Sequence, residues 1–125
     1  MTEGTNGHDI AAVTDVVRTY YDGMLAGDAA MLGRAFHPRA CIVGNDNGAL
    51  YWKGVEEFAA ECKGLVSSAG PSEWRIEGLS FAGDTALVRL GNRYAGVWYS
   101  DDLSLLRTEG GWRIVHKTFF AHPAG

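Results

Sequence analysis

The side chains best suited to chemistry in this chain are two acids, one imidazole and one phenol. The stretch "YSDDLSLL" (99–106) sets Asp101 beside Asp102 at the head of an apolar run. Aspartate is a poor strand former, and a buried carboxylate without a partner is costly. Strand side chains alternate faces, so the two carboxylates point opposite ways and one leaves the solvent side. His116 alternates with Ile114, Thr118 and Phe120 along the last apolar run. An imidazole there can move a proton near neutral pH. Which acid shares its face depends on "TEGG" (108–111). A tight two-residue turn puts Asp101 on the face of His116, and a bulge puts Asp102 there. Tyr20 lies in a stripe with Ile10, Val13, Val17 and Met24, from which its hydroxyl can donate one hydrogen bond.

Other chemistries find no footing. No histidines and carboxylates have ligand spacing on a helix or strand, so no metal is expected. "GNDNG" (44–48) is too short for a calcium loop and has no closing glutamate. No glycine-rich loop leads from strand to helix to hold a phosphate, and no serine or cysteine sits in a nucleophile elbow. The expectation is a protein that works without a cofactor. Cys41 and Cys62 lie in apolar stretches without metal or redox spacing and read as free buried thiols.

With 125 residues, 46% of them hydrophobic and 21% charged, the chain fits one globular domain. A net charge of −4 offers no footprint for nucleic acid. No apolar run reaches the length of a membrane span, and "MTEGTNGHD", with neither a charged n-region nor an apolar h-region, does not read as a signal peptide, so no membrane partner and a cytoplasmic location are expected. Residues 1–8 read as a disordered tail, 9–122 as the domain and 123–125 as a second short tail.

The elements that must position these groups follow from periodicity. The stripe from Ile10 to Met24 makes one helix, which stops at Gly27. Asp28 caps a second, with Met31, Leu32, Ala35 and Phe36 on its apolar side. His37-Pro38 ends it, because the residue before a proline resists helical geometry. "ACIV" and "ALYW" read as two short strands around the turn "GNDNG". Gly54 precedes a third helix carrying Val55, Phe58, Ala59, Cys62 and Val66 on one side. From Trp74 the pattern turns to alternation, giving strands over 74–81, 85–94, 97–106 and 112–120 joined by hairpin turns. Three helices and an antiparallel meander make an α+β domain.

This order resembles the nuclear-transport-factor-2-like superfamily, the cone-shaped fold shared with ketosteroid isomerase and SnoaL-type cyclases. The likeness rests on "YYDGMLAGDAAMLGRAFHPRACIVG", "YWKGVEEFAAEC" and "DDLSLLRTEGGWRIVHKTF". The last stretch is most similar to the branch known as putative lumazine-binding proteins. The resemblance implies a curved sheet wrapped around three helices, with an apolar pocket at the open end of the cone. It places Tyr20 and Asp102 where ketosteroid isomerase holds its hydrogen-bonding tyrosine and aspartic acid. The same comparison puts Gly44, which has no side chain, where that enzyme has its base. It also turns the face of His116 inward.

The resulting expectation is a pocket for a small apolar or aromatic molecule. Asp102, Tyr20 and His116 supply its chemistry, and Trp52, Trp74, Met24, Phe58, Thr118 and Phe120 its walls. Two readings stay open. One is a cofactor-independent isomerase, dehydratase or cyclase of SnoaL type that works by proton transfer. The other is a non-catalytic ligand-binding or dimerisation module. Aromatic residues on both strand faces (Trp98 beside Tyr99, Phe119 beside Phe120) point to a homodimer through the back of the sheet. Arg89 and Arg93 share a strand face opposite Val88 and Leu90, read as solvated or dimer-facing.

Overall fold

A computed structural model describes residues 7–124. The element order is α1 (Gly7–Ala26), α2 (Ala29–Ala35), β1 (Phe36–Asp46), β2 (Ala49–Gly54), α3 (Val55–Gly64), a 3-10 turn at Val66–Ser68, and then β3 (Trp74–Ala82), β4 (Thr85–Tyr94), β5 (Val97–Thr108) and β6 (Gly111–Ala121). Helix α1 begins at Gly7, so His8 belongs to its first turn rather than to a tail. The rest of the expected N-terminal tail lies outside the described residues.

Local chemistry sets the boundaries. Asp28 caps α2, its Oδ1 accepting from the backbone N–H of Ala30 at 3.0 Å and of Met31 at 3.1 Å. Gly27 turns the chain between α1 and α2 with φ +59, a left-handed conformation that glycine takes without strain. Strand β1 starts at Phe36, earlier than the periodicity suggests, because Pro38 is accommodated within it where an irregular register separates Phe36 from Cys41.

The six strands form one sheet in the order β2-β1-β6-β5-β4-β3. Only β1 and β6 run parallel, and every other neighbouring pair is antiparallel. The helices cover one face. Val13, Val17, Tyr20 and Met24 of α1 and Phe58, Ala59 and Cys62 of α3 are buried with Val88, Leu90, Leu103, Leu105 and Ile114 of the sheet. Leu87, Leu106 and Phe120 stay exposed on the opposite face. This is the α+β cone that the sequence indicates, with an inner face against the helices and an outer face against solvent.

Candidate functional site

Two register features decide which side chains enter the cone. The first is the β4–β5 hairpin, which turns on Ala95 and Gly96, both at positive φ. Tyr94 therefore pairs with Val97, and counting back sets Leu90 opposite Asp101 and Arg89 opposite Asp102. Paired residues share a face. Leu90 is buried, so Asp101 points inward with Leu103 and Leu105, and Asp102 points outward with Ser104 and Leu106. The second is a bulge in β6. Thr108 pairs with Gly111 across a tight turn, but the register shifts between Ser104 and Leu105, leaving Val115 as the extra residue. Beyond it the inner positions change from Trp112 and Ile114 to Lys117 and Phe119.

These features correct the expected site. Asp102 and His116 do share a face, but it is the outer one. The Asp102 carboxylate is 53% exposed and ion-paired with Arg89. His116 is half-buried, opposite Ser104 on β5 and Cys41 on β1. Thr118 and Phe120 also face outward, where with Arg89, Ser100, Asp102 and His122 they line a depression on the back of the sheet. Trp52 is 61% exposed on the edge strand β2. Trp74 packs beside Tyr21, with the Arg18 guanidinium 5.9 Å from its ring, away from the cone's interior. Met24 and Phe58 line the cavity inside the cone.

The cone holds a cavity of about 180 Å³. Phe58, Tyr51, Tyr94, Tyr99 and Phe119 supply aromatic walls, and Met24 and Ile42 aliphatic ones. Asp46 and Glu61 also border it. Glu61 is held by the Tyr51 hydroxyl at 2.9 Å and by an ion pair with Lys53. Gly44 has a reason in this geometry. A Cβ there would meet the Phe119 ring at 2.6 Å, so the space of a side chain is taken by an aromatic wall.

The polar floor is Asp101, Asn92 and Lys117, all buried. Asp101 Oδ2 accepts from the Tyr20 hydroxyl at 2.7 Å and from Asn92 Nδ2 at 3.0 Å. Lys117 Nζ stands 3.9 Å from the same oxygen, an ion-pair distance rather than a hydrogen bond. The ammonium is also 4.5 Å from the Phe58 ring centre and 4.9 Å from that of Tyr20. Such rings hold a cation by their negative faces. Tyr20 itself is fully buried behind Asp101 and orients the carboxylate.

Burial raises the Tyr20 hydroxyl well above the ordinary tyrosine value, and the Asp101 charge adds to it. Burial lowers Lys117 from the usual lysine value, with Asp101 opposing the shift. Cys62 is a buried free thiol pushed up by burial, and Cys41 is free and half-buried.

Two buried polar atoms at this cavity lack a hydrogen-bond partner, Asn92 Oδ1 and the Tyr94 hydroxyl. The Asn92 amide is oriented by Asp101, since the reversed amide would set oxygen against oxygen. Tyr94 lies beside the Cys62 thiol, a weak partner. Unmet polar groups are uncommon in protein interiors. Among the described residues, no group of three or more His, Cys, Asp or Glu is arranged to hold a metal ion. None of the described helices is long and apolar enough to cross a membrane.

Residues 8–120 match the model of the family described as "Putative lumazine-binding". The chain belongs to that family. Solved structures with the same architecture include an NTF-2 like protein of unknown function from Silicibacter pomeroyi DSS-3, 35% identical, with a TM-score of 0.90 over 95% of this chain and 100% of that one. An NTF2-like protein of unknown function from Shewanella baltica OS155 is 23% identical, with a TM-score of 0.87 over 97% and 99% of the two chains. A ketosteroid isomerase-like protein from Erwinia carotovora atroseptica is 13% identical, with a TM-score of 0.72 over 95% and 100%, a likeness of fold alone. No curated protein matches the chain. In this lumazine-binding family member the inward polar set is Asp101, Asn92, Lys117 and Tyr94. Periodicity missed Lys117 because a bulge without glycine leaves no mark in composition.

Proposed function

We propose that this protein binds a small, flat heteroaromatic molecule in the cone, with the ligand's polar edge on Asp101, Asn92, Lys117 and Tyr94. One observation carries the reading: at an aromatic-walled cavity Asn92 Oδ1 is buried without a partner, and the buried Tyr94 hydroxyl has only the weak Cys62 thiol beside it. A ring carrying both N–H and carbonyl groups on its edge would satisfy them and leave its faces to Phe58, Tyr99 and Phe119. Lumazine has such an edge, in keeping with the family's description. Calorimetric titration with lumazine should saturate at one ligand per chain. Ala121→Trp, which fills one side of the cavity, should abolish the heat. No binding of lumazine or of other flat heterocycles to the unmodified protein would overturn the reading.

A catalytic reading is favoured by the contact of Tyr20 with Asp101 beside Lys117. In that case the chain is a cofactor-independent isomerase, dehydratase or cyclase, and Asp101 takes the proton-transfer role that the resemblance to ketosteroid isomerase gives to Asp102. The non-catalytic alternative is a binding or interaction module with the same pocket. For assembly we infer a homodimer through the outer face, where Leu87, Leu106 and Phe120 are exposed around the Asp102–Arg89 pair. Sedimentation should show a dimer that Phe120→Asp splits, and a monomer at tens of micromolar for the unmodified protein would contradict it.

A further inference from the structure

We propose that Lys117 is a carbonyl-capture site, an amine that condenses with a small aldehyde or ketone in the cone to form an imine. The inference rests on the binding reading above, because the carbonyl compound must first enter that cavity. Its basis is geometric. Lys117 is 5% exposed yet borders the cavity, and none of the described hydrogen bonds engages its Nζ. Asp101, its ion-pair partner among the described residues, stands 3.9 Å away and is already bonded to Tyr20 and Asn92. The amine is therefore held in place without being tied up. Burial adds to this by disfavouring the ammonium form, which raises the share of the nucleophilic free amine.

The step balances within the site. Nζ of the free amine adds to the carbonyl carbon, forming the C–N bond while the carbonyl π bond breaks toward oxygen. The added amine loses one proton and the oxygen gains one, giving a carbinolamine. Asp101 is placed to relay that proton. The carbinolamine's remaining N–H proton passes by the same relay to its hydroxyl, which leaves as water while the nitrogen lone pair closes the C=N bond. The sum is amine plus carbonyl to imine plus water, with no oxidant or reductant. Asn92 Oδ1, unpartnered, and the Tyr94 hydroxyl, met only by the Cys62 thiol, border the same cavity and would bind the carbinolamine hydroxyl and the departing water.

The test is reductive trapping on the intact protein. Benzaldehyde is added with sodium cyanoborohydride near neutral pH, and the modified lysine is located by peptide mass spectrometry. Lys53, Lys63 and Lys117 are the chain's lysines, so two serve as internal controls. Benzyl alcohol, which cannot form an imine, reports on cavity binding through amide shifts of β5 and β6. The benzyl adduct is expected on Lys117 at least about tenfold faster than on Lys53 or Lys63, and Asp101→Asn should slow it. Labelling confined to Lys53 and Lys63, with benzyl alcohol still shifting the cavity amides, overturns the imine and leaves the binding reading standing. Neither trapping nor shifts would overturn both.

Discussion

Asp101 and Asp102 are chemically identical neighbours on one strand, and they occupy opposite environments. Asp101 looks into the cone, bonded to a buried phenol and an amide, with a buried ammonium at ion-pair distance. Asp102 looks out of it and meets a solvated guanidinium. The same division runs down β6, where Lys117 and Phe119 face the helices while Thr118 and Phe120 face away. Strand parity thus separates a desolvated polar cluster from a wet ion pair across one sheet thickness. The inner set is where a charge is costly to orphan and where a ligand can be discriminated. The outer set contributes little to stability, because exposed pairs are screened by water and salt.

The largest contrast should appear in alkali. All of Tyr20, Tyr21, Tyr51, Tyr94 and Tyr99 are raised from 10.0, with burial as the first cause. The folded state therefore keeps phenol protons that the unfolded state gives up. The stability this supplies is present below pH 10 and is lost as pH rises beyond it. Lys117 has the opposite sign. Its folded value is lowered, so the unfolded chain holds more protons and stability climbs with pH until the unfolded lysine titrates near 10.5. Tyrosinate absorbance should therefore appear in step with cooperative unfolding. Phenolate growing in at pH 10 with the fold intact would show that the inner face is wet.

Next in size is Lys117→Ala, expected to cost about 3–5 kcal/mol by leaving the Asp101 carboxylate buried without its cation. Pairing Lys117→Met with Asp101→Asn should recover part of that loss in thermal denaturation. Gly44→Ala should cost about 1–3 kcal/mol, since its methyl group drives into the Phe119 ring. Tyr20→Phe removes one donor from Asp101 and should cost about 1–3 kcal/mol. Asp102→Asn should leave the melting temperature unchanged within error. A loss at Asp102 comparable to that at Lys117 would erase the distinction between the faces.

Much of this architecture is legible in the sequence. The Asp28 cap, the change from helical to alternating periodicity at Trp74 and the hairpin turns all fall where local chemistry puts them. The identity of the inward acid is legible too, through the Ala95–Gly96 hairpin. A two-residue turn there sets Leu90 opposite Asp101 and Arg89 opposite Asp102, and an arginine rarely shares a buried face. Resemblance to ketosteroid isomerase points one residue away from that count. Lys117 is a different matter. Reading β6 as a regular strand puts His116 inside and Lys117 outside, and only the bulge at Val115 reverses them. A non-glycine bulge is fixed by how two strands fit against the helices, which is a tertiary property. The open positions of Asn92 Oδ1 and the Tyr94 hydroxyl likewise depend on which neighbours fold against them.

The central claim is that the functional acid is Asp101 on the inner face. Lumazine affinity of Asp101→Asn and Asp102→Asn, measured side by side by calorimetry on proteins with matched circular dichroism, tests it most directly. Asp101→Asn should bind at least about tenfold more weakly, or roughly 1.4 kcal/mol, and Asp102→Asn should match the unmodified protein. Weakened binding in Asp102→Asn with Asp101→Asn unaffected would contradict the account.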